Sequence, residues 1–198
     1  MSMARARILL LALGVAALAF GAGLALRVAM ADRGAAVAGA DLGAPFSLVD
    51  HDGRPITEAA FTGRPSLLFF GFAHCPEVCP TTVYDIETWM AELALGEDEL
   101  GAFFVTVDPE RDTPGFLGDY LRQLSDRIVG ISGEPEAVWD LARSWRVYWQ
   151  KRPLGNGDYT IDHFASVFVL DADGRVVDLI SYGEDPASAK AKIRAVTS

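Results

Sequence analysis

Hydrophobic and polar positions alternate in blocks along the chain, and these blocks predict a succession of strands and helices. Ser66 to Phe72 and Ala102 to Val107 are nearly continuous apolar runs, typical of central strands that are covered on both faces. Between them, Thr81 to Leu95 has apolar residues at helical spacing, with Pro80 at the predicted helix start. Further strands are predicted over Phe46 to Val49, Pro55 to Thr57, Ile128 to Ile131, Ser166 to Leu170 and Val176 to Ile180, and further helices over Pro114 to Leu124, Glu134 to Trp145 and Pro186 to Val196.

The order of these elements predicts an α/β fold with a mixed sheet flanked by helices. Strands that alternate with helices pair in parallel, whereas the turn signals at Asp52-Gly53 and at Asp171 to Gly174 predict hairpins that add antiparallel strands. An excursion over Val147 to Ile161, which contains Gly155-Asn156-Gly157, interrupts this order before the last hairpin. Periodicity alone predicts a mixed α/β sheet. The order of elements resembles that of a thioredoxin-like domain, a more specific assignment that depends on the cysteines of the chain.

The N-terminus predicts a membrane anchor. Ile8 to Leu26 is a run of 19 apolar or Gly residues without a charge, and as a helix it spans about 28 Å, close to the thickness of a bilayer core. Arg5 and Arg7 precede the run and favour a cytoplasmic N-terminus with an exported domain. A cleaved signal peptide is the alternative, with Ala29-Met30-Ala31 as its cleavage pattern. We therefore predict an anchor over 1–33, a linker over 34–43 and a single domain over 44–198.

Charge narrows the classes of function. The 198-residue chain carries a net charge of -10, and such an acidic protein repels phosphate backbones, which argues against nucleic-acid binding. Only 2 Cys are present, too few for a disulfide scaffold or a tetracysteine zinc module. An exported domain meets an oxidising compartment, where a disulfide is the simplest use of two cysteines.

The spacing of these cysteines indicates chemistry rather than a structural crosslink. Cys75 and Cys79 follow the most apolar predicted strand and open a helix, whose N-terminus favours thiolates. At i and i+4 both sulfurs lie on one face of a helical turn, where they can form a disulfide or a two-thiolate metal clamp. As a crosslink, so short a loop would stabilise the fold by only about 2 kcal/mol. Soft thiolates favour Cu(I), with zinc as the common competitor.

Two thiolates leave a metal site incomplete, and the chain has 3 His from which a third ligand can come. His51 precedes a turn and is predicted to be a surface residue. His74 adjoins Cys75, which makes chelation of the same metal awkward. His163 ends the excursion, and in a thioredoxin-like fold the loop before the next strand faces the cysteine loop. His163 is therefore the expected ligand; the alternative is a structural histidine bonded to Asp162.

Three motifs in order give the chain a family resemblance. They are Cys75-Pro-Glu-Val-Cys-Pro80, Val105-Thr-Val-Asp-Pro-Glu-Arg-Asp-Thr-Pro114, and Asp162-His163 followed by Asp171-Ala-Asp-Gly174. The chain resembles the Sco/SenC family over about residues 42–197. Members of that family are membrane-anchored, thioredoxin-like copper proteins implicated in assembling the dinuclear copper site of cytochrome c oxidase.

The resemblance implies a ligand set and a cargo. Cys75, Cys79 and His163 correspond to copper ligands for Cu(I) and, in addition, Cu(II). The family commonly has Asp where this chain has Glu77, a change that keeps the charge. The excursion over Gly155 to Tyr159 matches a family insertion that bears the histidine near its end.

Two other groups of residues have less specific interpretations. In the segment Asp108 to Pro114, the acidic groups contact the site or a partner, or else Asp112 and Thr113 simply cap the following helix; the second interpretation is favoured. The aromatic residues around the excursion are expected in the core or in a lid rather than on a docking surface: Trp145, Tyr148, Trp149 and Tyr159.

Several functions stay open at this point. The leading hypothesis is a copper metallochaperone in the inner membrane, single-pass, with its domain on the periplasmic side and the copper-binding subunit of cytochrome c oxidase, or its assembly factors, as partner. The alternative is a thiol-disulfide oxidoreductase in which Cys75 and Cys79 keep client copper-site cysteines reduced. A redox or copper sensor is a third class.

Overall fold

The computed structural model describes residues 42–155 and 157–198, together with Gly21. Apart from Gly21, the predicted anchor over 1–33 lies outside the described residues, and so does the linker before Leu42. Within the part of the chain that is described, no helix combines the length and the apolar character needed to cross a membrane. The anchor and its signal-peptide alternative therefore stay predictions.

A mixed sheet forms the centre of the described domain. Its strands are β1 Ser47–Asp50, β2 Pro55–Thr57, β3 Ser66–Gly71, β4 Gly101–Thr106, β5 Val129–Ser132, β8 Val167–Leu170 and β9 Val176–Ile180. Their order in the sheet is β2-β1-β5-β4-β3-β8-β9. The three central strands β3, β4 and β5 are parallel, whereas β1 joins β5, and β8 joins β3, in antiparallel pairs. The predicted mixed sheet is confirmed.

Helices flank this sheet, and their bounds are α1 Val78–Glu92, α2 Pro114–Leu121, α3 Pro135–Ser144 and α4 Pro186–Thr197. A short 3₁₀ helix, Glu58–Phe61, was not predicted. The first helix begins at Val78, so Pro80 is its third residue and not its start. Proline is tolerated there because the first four N–H groups of a helix have no intrahelical partner. The earlier start brings Cys79 inside the first helical turn.

The excursion is a hairpin separate from the main sheet. Strands β6 (Trp149–Gly155) and β7 (Asp158–His163) pair with each other in an antiparallel two-stranded sheet. At its base, Trp149 lies opposite His163. A two-stranded hairpin is marginally stable by itself, so its position depends on contacts with the domain body.

Aromatic packing fills the core beside the central strands. Trp145 is only 3% exposed and packs edgewise against Phe61 and Phe168. Of the aromatic residues around the excursion, Trp145 thus belongs to the core, as expected, whereas Tyr148 is exposed. Both β3 and β4 are buried along their whole length, as their continuous apolar sequences predict.

The end of β3 has no room for a side chain at Gly71. A Cβ there would come within 2.7 Å of the Phe69 ring and 2.8 Å of the Phe104 ring, whereas a Cβ at Gly115 in α2 would meet nothing within 4 Å. Gly71→Ala is expected to lower the free energy of unfolding by about 1–3 kcal/mol through overpacking. The matched Gly115→Ala is expected to raise it by about 0.5 kcal/mol, because it restricts the unfolded chain. Chemical denaturation measures both, and equal effects of the two substitutions would contradict the packing described.

Candidate metal site

The two cysteines lie at the junction between the end of β3 and the start of α1. The Cys75 N–H donates to the carbonyl of Phe72 at 3.2 Å, which closes a turn directly after the strand. The Cys79 N–H then donates to Cys75 Sγ at 3.3 Å. The sulfur of Cys75 therefore accepts a hydrogen bond from the first turn of a helix, where free N–H groups and the helix dipole stabilise negative charge.

Burial divides the two thiols into an outer and an inner one. Both are free; Cys75 is partly exposed and Cys79 is fully buried. In the sequence, the neighbouring Pro76 and Pro80 and the position at a helix start argue against burial of the two thiols, and for Cys79 that expectation is wrong. It is buried because the helix starts two residues before Pro80 and turns the Cys79 side chain into the core.

The environment makes Cys75 the thiolate of the pair. A hydrogen bond with the Cys79 side chain, with further hydrogen bonds from backbone N–H groups, lowers the pKa of Cys75 to about 4 despite partial burial. Burial raises the pKa of Cys79 well above its usual range, and the neighbouring Cys75 adds to that effect. One thiolate and one thiol therefore lie side by side at neutral pH.

His163 comes to the cysteines from the far end of the sequence. Its Nε2 lies 3.5 Å from Cys79 Sγ, although 84 positions separate the two residues. Its Nδ1 lies 2.9 Å from the carbonyl oxygen of Phe164. Since a carbonyl oxygen only accepts, Nδ1 carries the proton and the Nε2 of the neutral ring offers its lone pair to the sulfurs. The Phe69 and Phe72 rings pack edgewise against the imidazole and fix its plane.

The structural alternative for His163 named the wrong partner. Asp162 lies on the opposite face of β7, where its carboxylate accepts from Arg152 Nε at 2.6 Å. Successive side chains of a strand point to opposite faces, so the Asp162 carboxylate and the His163 ring point away from each other. The backbone carbonyl of Phe164 orients the ring instead.

The other two histidines have different partners. His51 Nδ1 accepts from the Gly130 N–H at 2.9 Å and is partly buried, so the predicted surface position is wrong. The ring of His74 stacks on Phe116 at 5.0 Å, and its Nδ1 lies 3.4 Å from Asp112 Oδ1. His51 therefore links the end of β1 to β5. His74 covers the buried Asp112 carboxylate beside the cysteine loop.

Sequence reasoning assigned Asp112 the wrong role. Thr113 caps α2 by accepting from the Phe116 N–H, as expected. Asp112, however, is fully buried and accepts from the Ala73 N–H at 2.9 Å and from the Thr106 hydroxyl at 2.7 Å. Burial raises the pKa of Asp112. Asp112 therefore supports the loop that carries Cys75. The sequence signal for this role was the position of Asp112 shortly after β4, a buried strand that neighbours β3.

A second cluster of possible ligand atoms lies near the cysteine loop. Atoms of His74, Asp108 and Asp112 lie within 4.8 Å of one another. Both oxygens of Asp108 are already engaged, by the Arg111 guanidinium at 2.5 Å and the Tyr159 hydroxyl at 2.7 Å. Because Arg111 neutralises Asp108, this cluster is a structural junction rather than a competing metal site.

An open cleft gives access to the Cys75 sulfur and the His163 imidazole. The cysteine loop, from Phe72 to Val78, forms one wall, and β7 with Ala165 forms the other. Cys75 and His163 both line it, whereas the buried Cys79 does not. A ligand that enters from solvent therefore meets one sulfur and one imidazole nitrogen first, with the second sulfur buried beside His163, and this donor set suits Cu(I) or zinc.

The sequence and the fold match those of known proteins. A model of the SCO1/SenC family matches residues 34–198. The mitochondrial SCO2 protein of Saccharomyces cerevisiae is 34% identical over 167 residues, which cover 83% of this chain and 56% of that protein. The chain spans about half the length of the curated relatives it matches.

Solved structures share the fold of the described domain. The copper-bound structure of Bradyrhizobium japonicum ScoI matches with a TM-score of 0.73 and 38% identity, covering 78% of this chain and 99% of that one. BsSco, a member of the Sco family of cytochrome c oxidase assembly proteins in which a disulfide switch was identified, matches with a TM-score of 0.64. At 20% identity, over 79% of this chain and 94% of that one, BsSco shows the shared fold alone. The sheet topology and these matches confirm the thioredoxin-like fold, and the chain belongs to the SCO1/SenC family.

Proposed function

We propose that this chain binds copper through Cys75, Cys79 and His163 and delivers it to the dinuclear copper site of cytochrome c oxidase. The observation that carries the proposal is the 3.5 Å distance between Cys79 Sγ and His163 Nε2. Disulfide chemistry needs the two sulfurs only, and it gives no reason for a distant imidazole to turn its lone pair toward them. A trigonal Cu(I) site, by contrast, uses that third donor. The relative with copper bound, ScoI of Bradyrhizobium japonicum, supports copper as the metal.

The softness of the sulfur ligands and the protonation of the three side chains both bear on Cu(I) binding. Thiolates are soft ligands, and soft ligands select Cu(I) over harder cations. The proton of Cys79 is the one that must leave on binding, because the low pKa of Cys75 keeps that sulfur ionised already. The Nδ1–H bond to Phe164 holds the imidazole in the tautomer that ligation requires.

Unequal burial suggests how the cargo leaves. Cys75 lines the cleft, whereas Cys79 is fully buried behind it. Thiolates of an acceptor would approach from the cleft and replace Cys75 first, and the inner ligands would be released last. This ligand exchange transfers the ion without breaking a covalent bond in either protein, so the chain acts as a metallochaperone.

A membrane location completes the proposal. The apolar run over 8–26 would hold the chain in the inner membrane by a single span, with the domain on the periplasmic side. Anchoring would confine donor and acceptor to one plane and raise their effective concentration. The acceptor would be the copper-binding subunit of the oxidase or one of its assembly factors.

The unequal thiols favour one second function, thiol-disulfide exchange. The Cys75 thiolate would attack a client disulfide and form a mixed disulfide, releasing one client thiolate. Cys79 would give its proton to the released client thiolate, attack Cys75 Sγ and release the second client thiolate. The client gains two electrons, and the chain is left with a Cys75–Cys79 disulfide that a further reductant must reopen.

Copper stoichiometry tests the ligand set. The reduced full-length chain, purified in detergent, is expected to bind about one Cu(I) per chain. Cys75→Ala and Cys79→Ala are expected to abolish binding, and His163→Ala to lower the affinity at least tenfold, because each removes a donor. Competition with a chromophoric Cu(I) chelator measures all three.

His51→Ala is the matched control. It removes an imidazole that bonds to the backbone away from the cysteines, so copper binding is expected to be unchanged while stability falls by about 1 kcal/mol. Unchanged copper affinity in His163→Ala would refute the ligand set. An equal loss in His51→Ala would show that the effect is not specific to the site.

Transfer separates the two functions. The copper-loaded full-length chain, mixed with an apo dinuclear copper domain under reducing conditions, is expected to lose its copper to that domain. At the same free Cu(I) concentration, His163→Ala is expected to carry less copper, because its affinity is at least tenfold lower, and therefore to transfer less. Reduction of an oxidised copper domain is expected to survive His163→Ala and to fail in Cys75→Ala, because exchange needs sulfurs only. Reduction without any copper transfer by the unmodified chain would favour the oxidoreductase.

A further inference from the structure

One loop lies between the two halves of the site. It follows β4, runs over 107–112, and is buried at Val107, Asp108 and Asp112. On one side the Asp112 carboxylate accepts from the Ala73 N–H, which fixes the cysteine loop two residues before Cys75. Through Asp112, the cysteine half of the site is held to this loop.

The other side of the same loop holds the hairpin that carries His163. Asp108 is fully buried, and its Oδ1 accepts from the Tyr159 hydroxyl at 2.7 Å. Its Oδ2 accepts from Arg111 Nε at 2.5 Å. A buried carboxylate is costly unless it is paired, so both contacts are strongly favoured over solvent-separated alternatives.

Arg111 also contacts Tyr159 directly, in two ways. Its Nη1 donates to the Tyr159 carbonyl oxygen at 3.0 Å. The guanidinium also stacks over the phenol ring, 3.7 Å from its centre. The hydroxyl, the ring and the backbone of one residue are thus all held by the loop, a geometry that fixes its orientation as well as its position.

Tyr159 shares a face of β7 with His163. The two residues are four apart in one strand, and side chains at even spacing point to the same side. Buried Ile161 lies between them and packs in the core. Holding Tyr159 therefore fixes the rotation of the strand, and with it the direction in which the imidazole points. An ion pair between Lys151 of β6 and Glu110 ties the opposite strand to the same loop.

We propose that the loop over 107–112 is a bracket that sets the separation between the imidazole of His163 and the sulfurs. Asp112 holds the cysteine half, and Asp108 with Arg111 holds the histidine half through Tyr159. Arg111 and Tyr159 are then positioning residues for copper binding, although neither is a copper ligand. The proposal rests on the proposed function, in which copper takes His163 as its third ligand.

Tyr159→Phe tests the bracket. The substitution removes the hydroxyl that bonds to Asp108 and keeps the ring that stacks on Arg111. Tyr148→Phe is the matched control, because it removes an exposed tyrosine hydroxyl beside the hairpin, whose described partners are Gln150, at 2.6 Å, and Arg152 rather than the loop over 107–112. Both variants are made in the full-length chain, with and without His163→Ala, and Cu(I) affinity is measured by competition with a chromophoric chelator.

The expected result is a loss of affinity that depends on His163. Tyr159→Phe should weaken Cu(I) binding about three- to tenfold, the range of one lost hydrogen bond, and Tyr148→Phe should leave it unchanged. In the His163→Ala background, Tyr159→Phe should have no further effect, because its role is to position that ring. The thiol-disulfide exchange rate should be the same in all tyrosine variants.

Other results overturn the bracket. Unchanged affinity in Tyr159→Phe, with a loss in His163→Ala, would refute the bracket and leave the proposed function intact. An equal loss from Tyr159→Phe with and without His163 would also refute it, as a general effect on the fold. If His163→Ala itself has no effect, the proposed ligand set fails, and the bracket has no ligand to position.

Arg111→Lys tests the bracket a second time, because it keeps the charge beside Asp108 and loses the planar guanidinium that stacks on Tyr159. Like Tyr159→Phe, it should weaken Cu(I) binding.

Discussion

The approach of the His163 imidazole to the buried sulfur of Cys79 is the contact on which the proposed copper site depends. It joins the start of the first helix to the end of a hairpin 84 positions later. Every other feature of the site serves this contact: the Phe164 carbonyl selects the tautomer, two phenylalanine rings fix the plane, and the hairpin brings the ring to the cleft. Without it, the domain would carry only a pair of thiols at a helix N-terminus.

The two thiols differ because of where the helix begins. One sulfur lies at the edge of a cleft and accepts an N–H bond from the first helical turn, whereas the other lies in the core. The two cysteines of one short motif therefore have pKa values shifted in opposite directions, down for Cys75 and up for Cys79. The same asymmetry suits a metal site with an outer and an inner ligand and a dithiol with an attacking and a resolving sulfur. The asymmetry of the two thiols is therefore compatible with both of the proposed functions, copper transfer and disulfide exchange.

Buried carboxylates after β4 link the site to the domain body. Asp108 and Asp112 are fully buried, and each is paired with groups from a different half of the site. Burying two acids in one loop is costly, and the cost is offset only when their partners stay in place. The polar network therefore has a strong preference for one relative position of the cysteine loop and the hairpin, which hydrophobic packing alone would specify less sharply.

The sequence by itself determined the strand and helix order, the parallel centre of the sheet, and the three side chains expected at the metal site. Those features follow from local patterns: continuous apolar runs, helical spacing, turn residues and a short cysteine motif. Tertiary structure decided the rest. It alone showed that Cys79 is buried, that Phe164 rather than Asp162 orients His163, and that Asp112 supports the cysteine loop instead of capping a helix. These outcomes depend on which groups from distant segments meet in a low-dielectric interior, and no local pattern encodes such a meeting.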